Sequence, residues 1–386
     1  MWANVKRNIK ILLKGVDYMI FTSESVSAGH PDKMADLISD RILDEYLTQD
    51  PNARVACETL LSAKGITLAG EITSTVSVNH EDIARKVIRN IDPEYEVQAS
   101  FTDHTVGQSP DIAEGVDTGG AGDQGLMFGY STNETPERLP LPIALANRLI
   151  RRLDAIKNDT LTYLKADAKS QVTVAYDDNG KPSHVDAVVI STRHDMDTSL
   201  ETLRFDALNY VIKPVLGDLY DDSMTVHINP AGSFVLGGPL ADTGLTGRKI
   251  IVDTYGGFAR HGGGAFSGKD ATKVDRSGAY MARYIANHVI ASEWAGKCEI
   301  QLAYAIGVAE PVSVRVDTFG TETVDTAIIE RAIIATFDMT PRGIIEELQL
   351  TRPIYAQTAV GGHFGRSEFA WEQTPRVAEL IEKGTI

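Results

Sequence analysis

Residues 262–280, GGGAFSGKDATKVDRSGAY, have the composition and spacing of a phosphate-binding segment. Gly268 and Lys269 fit the P-loop pattern, in which a glycine-rich turn leads into a lysine, but Asp270 stands where that pattern needs a serine or threonine. A P-loop also follows a strand directly, whereas the apolar run before this segment ends near Tyr255 and the residues FARH intervene. The sequence therefore predicts phosphate binding with a geometry other than that of a P-loop.

Basic side chains are concentrated around this segment, although the chain has 37 Lys and Arg against 53 Asp and Glu and a net charge of −16. The concentrated residues are Arg248, Lys249, Arg260, Lys269, Lys273 and Arg276. Lys269 and Lys273 flank the predicted start of a long helix, whose free amides attract anions. Asp275 in the same turn could bind Mg²⁺, which would offset the repulsion between carboxylate and phosphate. A single lysine at a helix start is usually just solvent-exposed, so the clustering is what favours a polyphosphate site.

A second candidate group begins a helix in HPDKMADLISD. In one interpretation His30 donates a hydrogen bond to a phosphate oxygen while Asp32 binds a hard cation such as Mg²⁺. In the other interpretation Asp32 is an ordinary first-turn acid that complements the helix dipole. The sequence leaves both interpretations open.

Glu58 and Glu71 interrupt two strand-like runs, VACETLL and LAGEITSTV. Two-residue alternation could place both on a solvated face of an antiparallel sheet. If they point inward instead, each must meet a cation, and a substrate amine or a monovalent metal would serve. Asp123 in GAGDQG, and Asp167 with Lys169 in DAKSQV, are weaker signals, because glycine–aspartate pairs are ordinary turn formers.

The elements that must position these residues alternate along the chain. In the first part we expect a helix at 31–47, strands at 54–61 and 66–78, and a helix at 81–90. Next come a helix at 142–156, a hairpin turned by DNG at 178–180 and a helix at 200–215. The last part holds strands at 249–255, 298–306 and 313–318 and a long helix at 271–294. The pattern predicts an α/β protein of the α+β type, built from closely docked blocks that each combine a sheet with helices.

The bulk properties narrow the class of protein. A chain of 386 residues, 43% of them apolar, should form two or three domains. Its acidic balance excludes a broad electrostatic surface for nucleic acid or anionic membrane. The only cysteines, Cys57 and Cys298, are far apart in sequence and favour a reducing compartment, so we expect a cytoplasmic protein. Residues 1–19 are expected to be a dispensable extension, with an organelle-targeting peptide as the alternative.

A set of ordered motifs runs from Phe21 to about Trp371: FTSESVSAGHPDK, ACET, GEIT, GQSPDI, GAGDQGLMFGYSTNE, DAKSQV, GLTGRKIIVDTYGG and RHGGGAFSGKDATKVDRS. Together they resemble the S-adenosylmethionine synthetase family. The resemblance implies three pseudo-symmetric domains, each a β-sheet with helices on one side. We place them at 20–118, ending in a gate loop, at 119–233 and at 234–386.

The resemblance also implies a reaction. The sulfur of L-methionine attacks C5′ of ATP and releases triphosphate, which is then hydrolysed to diphosphate and phosphate. The implied cofactors are Mg²⁺, two per site, and K⁺. The implied assembly is a homo-oligomer, commonly a tetramer, with active sites at the dimer interface.

By the same resemblance, individual residues acquire expected roles. The ATP ligands would be His30, Asp167, Lys169, Ser233, Phe234, Asp242, Arg248, Lys249, Ala265 and Lys269. The catalytic residues among them would be His30, Lys169, Arg248 and Lys269. The methionine ligands would be Glu71, Gln108, Asp123, Asp242 and Lys273. The metal ligands would be Asp32 and Asp275 for Mg²⁺ and Glu58 for K⁺.

Two features depart from the family pattern. Ser233 stands where the family often has an arginine before the phenylalanine, and the gate loop at 108–118 is shorter than usual. A non-catalytic nucleotide-binding regulatory subunit is the alternative function. Such a subunit could lose the anion- and metal-binding side chains without losing its fold. All four that matter are present, which favours an active enzyme: His30, Asp32, Lys269 and Asp275.

Overall fold

The computed structural model describes residues 19–93, 95, 99–107 and 119–385. The predicted gate loop with Gln108, and residues 1–18 of the predicted extension, lie outside the described residues. Among the helices in the described ranges, none is both long enough and apolar enough to cross a membrane.

The described strands form three sheets. Sheet I has the order β1 (Met19–Val26), β6 (Leu164–Tyr176), β7 (Pro182–His194) and β8 (Thr225–Ile228). Sheet II has the order β11 (Ser313–Asp317), β10 (Lys297–Tyr304) and β5 (Gly125–Thr132). Sheet III has the order β4 (Ser100–Val106), β3 (Gly65–Thr73), β2 (Arg54–Ser62) and β9 (Gly244–Leu245).

Helices pack against each sheet. Sheet III packs with α1 (Pro31–Gln49) and α2 (His80–Ile91). Sheet I packs with α3 (Leu141–Ile156) and α4 (Leu200–Asp206), which continues through a π-helical turn (Ala207–Ile212) to Lys213–Leu216. After the short α5 (Ile250–Asp253), sheet II packs with α6 (Val274–Ala291), and α7 (Thr326–Thr336), α8 (Pro341–Glu347) and α9 (Val377–Gly384) complete that part. The α/β fold of the α+β type, with three sheets each packed with helices, is confirmed.

The three sheets draw strands from distant parts of the chain. β1 pairs antiparallel with β6, with Ser25 opposite Ser170. β9 pairs antiparallel with β2, with Leu245 opposite Leu60. Shared strands therefore join the blocks, in addition to contacts between them. The predicted domain limits stay predictions.

The elements with strong local signals lie where the sequence predicts them. α1 begins at Pro31, at the first helical position, where a backbone amide is not needed. Its apolar residues Met34, Ile38 and Ile42 are buried in the core that it shares with sheet III. β6 and β7 form the predicted hairpin, and Gly180 in its turn has a φ of 68°, which favours glycine.

The predicted strand at 249–255 is wrong. Ile250–Asp253 form a single helical turn, closed by a bond from the Asp253 amide to the Lys249 carbonyl (2.9 Å). This turn lets the Asp253 carboxylate pair with Lys33 in the interior. A short apolar run such as IIV fits a strand or a buried helical turn equally well, and here the buried ion pair decides between them.

Asp44 joins α1 to the C-terminal part of the chain. Its two carboxylate oxygens accept hydrogen bonds from the amides of Tyr355 and Ala356, at 2.8 Å each. The side chain is buried, and burial raises its pKa to about 6. The segment around Tyr355 thus depends on a carboxylate that lies more than 300 residues earlier in the chain.

Replacing Asp44 with alanine should destabilise the fold by about 1–3 kcal/mol for each amide that loses its acceptor. The amides of Tyr355 and Ala356 should also exchange hydrogen faster. Urea unfolding and hydrogen exchange would measure the two effects. Glu45→Ala, one residue along the same helix, is the matched control, and equal losses in both variants would contradict the assignment.

Candidate active site

The first group of candidate residues lies at the start of α1 and just after β9. The Asp32 carboxylate accepts hydrogen bonds from the Leu245 amide (2.9 Å) and from the Lys249 ammonium (2.5 Å). Arg248 Nε lies 3.7 Å from the same carboxylate. We call His30, Asp32, Arg248 and Lys249 the α1 cluster. It brings a carboxylate and two cations to one end of a buried helix.

His30 caps the N-terminus of α1 and is buried. Its Nδ1 accepts a hydrogen bond from the Asp32 amide (3.2 Å), so the ring proton of the neutral form is on Nε2. Burial lowers the pKa of His30 to about 4, with further lowering from Lys249 and Lys169 and opposition from Asp32 and Asp242. The imidazole is therefore a neutral hydrogen-bond donor at physiological pH. Lys169 and Asp242, both exposed, lie near enough to affect its charge.

The second group of candidate residues surrounds Lys269. The Lys269 ammonium lies 2.6 Å from the Asp275 carboxylate, and the Lys273 ammonium lies 2.5 Å from Asp270. Partial desolvation by neighbouring groups raises the pKa of Glu58, although the residue is exposed in the single chain, and the charge of Lys269 opposes that rise, which places Lys269 near Glu58. We call Glu58, Lys269, Lys273 and Asp275 the loop cluster. Like the α1 cluster, it pairs lysines with carboxylates.

The edge of β2 fixes the loop cluster. The Cys57 amide donates to the Gly268 carbonyl (3.0 Å), and the Asp270 amide donates to the Val55 carbonyl (3.0 Å). The Asp270 carboxylate in turn accepts from the Val55 amide (2.7 Å). Asp270 thus anchors the segment to a strand, which explains why it replaces the hydroxyl residue of a P-loop.

The two clusters lie along the same edge of β2. Leu245 pairs with Leu60, while Lys269 forms a bridge with Ala56. These two partners are four residues apart in the strand, and a strand advances about 3.3 Å per residue, so the pairing points are roughly 13 Å apart. One strand therefore holds side by side the two basic segments, 245–249 and 268–275.

A third group lies where β6 meets the segment 233–238. One oxygen of Asp167 accepts from the Gly238 amide (2.8 Å), while the other is buried without a hydrogen-bond partner among the described residues. Burial raises the pKa of this carboxyl. A Cβ on Gly237 would lie 2.9 Å from the Phe234 ring and 3.0 Å from Asp167, so both side chains adjoin this glycine. An unpaired buried oxygen is costly unless a ligand or water supplies a donor.

A buried ion pair supports this third group. Arg193 lies 2.7 Å from Asp92, and its Nε donates to the Val235 carbonyl (2.8 Å). The backbone beside Phe234 is thereby fixed to β7. Ser233 itself is exposed.

Other predicted site residues lie at or near the surface. Glu58 and Glu71 lie on the face of sheet III that no helix covers, so within one chain the solvated interpretation holds. Asp123 is exposed and accepts a hydrogen bond from the Gln124 amide (2.7 Å). Ala265 is partly buried, and a Cβ on Gly247 would lie 2.6 Å from its methyl group.

Sequence reasoning missed two buried carboxylates on α1, Asp36 and Asp40. Each accepts a hydrogen bond from a glycine amide in one of the two basic segments: Gly247 for Asp36 and Gly268 for Asp40, at 2.8 Å in both cases. The available signal was the four-residue spacing of aspartates from Asp32 onward, which puts them on one face of the helix.

Three family models match the chain in order. They describe the N-terminal domain of S-adenosylmethionine synthetase at residues 18–114, its central domain at 118–234 and its C-terminal domain at 236–373. Only residues 115–117 and 235 lie between the matches.

The chain belongs to the S-adenosylmethionine synthetase family. The activity of this family is methionine adenosyltransfer, and the three matched domains make the chain an enzyme of that class. The resemblance inferred from the motifs is confirmed. The substrates of this family are ATP and methionine, and ATP is an anion.

The carboxylates in both clusters suit a Mg²⁺ ion that is bound by few protein ligands. No group of three or more His, Cys, Asp or Glu side chains in the described ranges is placed to hold a metal ion. Asp32 and Asp275 each carry a lysine ammonium at the position where a cation would bind. Mg²⁺ is commonly held by one or two carboxylates together with phosphate oxygens and water. These single carboxylates therefore fit a metal that takes its other ligands from substrate.

The protonation of His30 provides a test of the α1 cluster. In protein labelled with ¹⁵N-histidine, its ring should stay neutral at pH 7 and gain a proton only near pH 4. Lys249→Met should raise this midpoint toward the ordinary value of 6.5, because a positive charge that opposes protonation is removed. NMR titration of the ring nitrogens would measure the shift.

Lys165→Met is the matched control for this titration. Lys165 pairs with Asp195 at 2.7 Å in sheet I and is half-exposed, so its removal should leave the His30 midpoint unchanged. The same midpoint in Lys249→Met and wild type would show that Lys249 does not act on His30.

Proposed function

We propose that the protein synthesises S-adenosylmethionine from ATP and L-methionine, with release of triphosphate and its hydrolysis to diphosphate and phosphate. The observation that carries this proposal is the pairing of lysines with carboxylates in both clusters. A Mg²⁺–triphosphate group needs both kinds of side chain, since the lysines can bind phosphate oxygens while the carboxylates bind the metal.

Charge on the leaving group is the main catalytic problem. When the sulfur attacks C5′ and the C5′–O bond breaks, the bond electrons pass to the triphosphate. Lys169, Arg248 and Lys269 are proposed to stabilise that charge, and the neutral His30 donates its Nε2 proton to a phosphate oxygen as a hydrogen bond. Lys249, which pairs with Asp32 in this structure, would be free to join this group if Asp32 held Mg²⁺. Bringing the sulfur and C5′ into line adds rate through orientation.

The nucleoside and methionine are assigned to the remaining residues. Phe234 is proposed to stack on adenine, and the unpaired oxygen of Asp167 offers an acceptor beside it. The other proposed ATP contacts are Ser233, Asp242, Ala265 and Lys249. The proposed methionine contacts are Glu71, Gln108, Asp123, Asp242 and Lys273.

Metal ions complete the proposed site. Asp32 and Asp275 would each hold one Mg²⁺, and Glu58 would hold K⁺. When bound, Mg²⁺ neutralises negative charge on the triphosphate and orients it. Until then the lysine partners balance the carboxylates, so binding exchanges one set of ion pairs for another.

We also propose a homo-oligomer, with a tetramer built from dimers and with active sites at the dimer interface. Two features support a partner on sheet III. Glu58 and Glu71 project from its uncovered face, and the apolar Leu60 and Val106 are 41% and 61% exposed beside them. The buried free thiols of Cys57 and Cys298 support the proposal of a cytoplasmic location.

The direct experiment is mass spectrometry of the purified protein with ATP, methionine, Mg²⁺ and K⁺, alongside assays of phosphate and diphosphate. We expect a sulfonium product with one phosphate and one diphosphate per turnover. Binding of ATP without product would instead support a regulatory subunit.

Lys269→Met should abolish adenosyl transfer and leave the fold intact. The ammonium contributes to a partly exposed ion pair with Asp275, so its loss costs little stability. Turnover and circular dichroism would measure the two properties. Lys165→Met again removes a partly exposed, paired lysine, and it should retain activity. Retained turnover in Lys269→Met would remove this lysine from the mechanism.

Mixed oligomers would test whether each active site uses two chains. Asp32→Asn alters the α1 cluster and Lys269→Met alters the loop cluster. If a site combines the α1 cluster of one chain with the loop cluster of another, half of the dimers are mixed and each has one intact site. Co-expression should then restore about a quarter of wild-type activity, by the two-fold symmetry of such a dimer.

The control for mixed oligomers pairs two changes in the same cluster. Asp32→Asn with Arg248→Met should restore nothing, because every site keeps one defect. Mixed oligomers of Asp32→Asn and Lys269→Met can be isolated with two affinity tags. If these oligomers are inactive, each site lies within one chain.

A further inference from the structure

Four aspartates occupy one face of α1 at four-residue spacing: Asp32, Asp36, Asp40 and Asp44. All four are buried. Each accepts a hydrogen bond from backbone amides outside the helix, and these amides belong to three segments: Leu245 and Gly247 in the first, Gly268 in the second, and Tyr355 with Ala356 in the third. We call these four residues the aspartate ladder.

Asp36 fixes the segment that precedes Arg248. Its carboxylate accepts from the Gly247 amide at 2.8 Å and from the Lys33 ammonium at 2.9 Å. Lys33 is fully buried and also pairs with Asp253 in α5. Both ends of the basic pair Arg248–Lys249 are therefore held from the interior.

Asp40 fixes the segment that carries Lys269. Its carboxylate accepts from the Gly268 amide (2.8 Å) and forms a two-bond pair with Arg276, at 2.7 and 2.9 Å. Arg276 also donates to the Lys269 carbonyl (3.1 Å). Gly268 has a φ of 82°, and a Cβ there would lie 2.1 Å from the Cys57 carbonyl oxygen, so only glycine fits.

The two buried cations are linked to each other. Arg276 donates to the Tyr280 hydroxyl (3.1 Å), which lies 2.7 Å from Nδ1 of His363. The His363 amide donates to the carbonyl of Asp253, the partner of Lys33 (3.0 Å). A continuous polar chain through the core thus connects Asp36 with Asp40.

We propose that Asp36 and Asp40 are positioning residues for triphosphate binding. Each fixes one of the two basic segments to the same rigid helix, so that the cations of that segment meet a triphosphate without rearranging, whether the two segments of one chain serve the same site or two sites of a dimer. This inference rests on the proposed function, because it takes triphosphate as the ligand. Neither carboxylate touches substrate in this role, since each acts through Arg248–Lys249 or through Lys269.

Asp44 supplies a matched control within the ladder. It has the same helix, the same spacing and the same kind of backbone bonds, but the segment at Tyr355 contains none of the proposed ligands. Asp36→Asn and Asp40→Asn should lower kcat about 10–100-fold and weaken binding of inorganic triphosphate. Asp44→Asn should leave both properties at wild-type values, while losing stability as the other two do.

Calorimetry with Mg²⁺ and inorganic imidotriphosphate, a triphosphate analogue whose P–N–P bridges resist the proposed hydrolysis, separates positioning from mere loss of folded protein. Misfolding lowers the number of sites per chain and leaves the Kd of the folded fraction unchanged, whereas a misplaced segment raises the Kd. Wild-type Kd in Asp36→Asn and Asp40→Asn would overturn the proposal. An equal rise of the Kd in Asp44→Asn would also overturn it.

Asp40→Glu is the second variant in case Asp40→Asn does not fold. It keeps a charge opposite Arg276 but lengthens the side chain, so it should fold and still raise the Kd. A wild-type Kd in Asp40→Glu would count against positioning.

Failure of the positioning proposal can be distinguished from failure of the proposed function. Ladder-dependent binding of triphosphate without sulfonium product would leave the positioning role in place and remove the reaction. If the wild type makes the sulfonium product and the Asp36 and Asp40 variants have unaltered Kd and kcat, the reaction stands and the positioning role is overturned. Absence of triphosphate binding by wild type would overturn the positioning proposal.

Discussion

Burial of negative charge on α1 is the constraint on which the rest of the structure depends. Removing a carboxylate from water costs several kcal/mol unless cations and hydrogen-bond donors replace the solvent. In this protein the cations are Lys249 for Asp32, Lys33 for Asp36 and Arg276 for Asp40. Lys33 lies in the preceding turn of the same helix, and the other two lie outside it. The backbone amides that complete these carboxylates belong to loops or, for Asp32, to the two-residue strand β9. The need to supply hydrogen bonds to the buried carboxylates of α1 therefore determines where those segments lie.

This arrangement also reconciles an acidic chain with an anionic ligand. The chain has a net charge of −16, but the lysines of the two clusters are neutralised by individual carboxylates beside them and not by the overall excess of acidic residues. Lys249 and Lys269 each hold a carboxylate that fits a metal ion. The proposed ligand, a metal complex of a polyphosphate, would bring both charges that such a pair requires, so the proposed site would be nearly neutral before and after binding. The electrostatic cost of assembling a dense cluster of cations is thereby reduced.

The sequence predicts those features whose signals are local. The α1 helix, the β6–β7 hairpin and the family resemblance follow from periodicity, turn residues and ordered motifs, and the structure and the family models confirm them. The segment at 249–255 was mispredicted because its short apolar run does not reveal that Asp253 must meet Lys33 across 220 residues. The ladder was missed because an aspartate's donor lies in another part of the chain. The surface position of Glu58 and Glu71 was left open for the same reason. Alternation of polar and apolar residues along a strand shows that the strand has two faces, but it does not show which face the rest of the chain covers.

The non-local pairing of strands has a consequence for how the chain is made. Met19 in β1 lies opposite Tyr176 in β6, and at about 5–20 residues per second of synthesis this partner is delayed by on the order of ten seconds. The amides that complete Asp40 and Asp44 emerge later still. During translation, the residues of α1 are thus among the first to be synthesised, while backbone donors for its aspartates are among the last. The unfinished chain exposes an unpaired strand edge and an apolar helical face, which is the kind of surface that ribosome-associated chaperones protect.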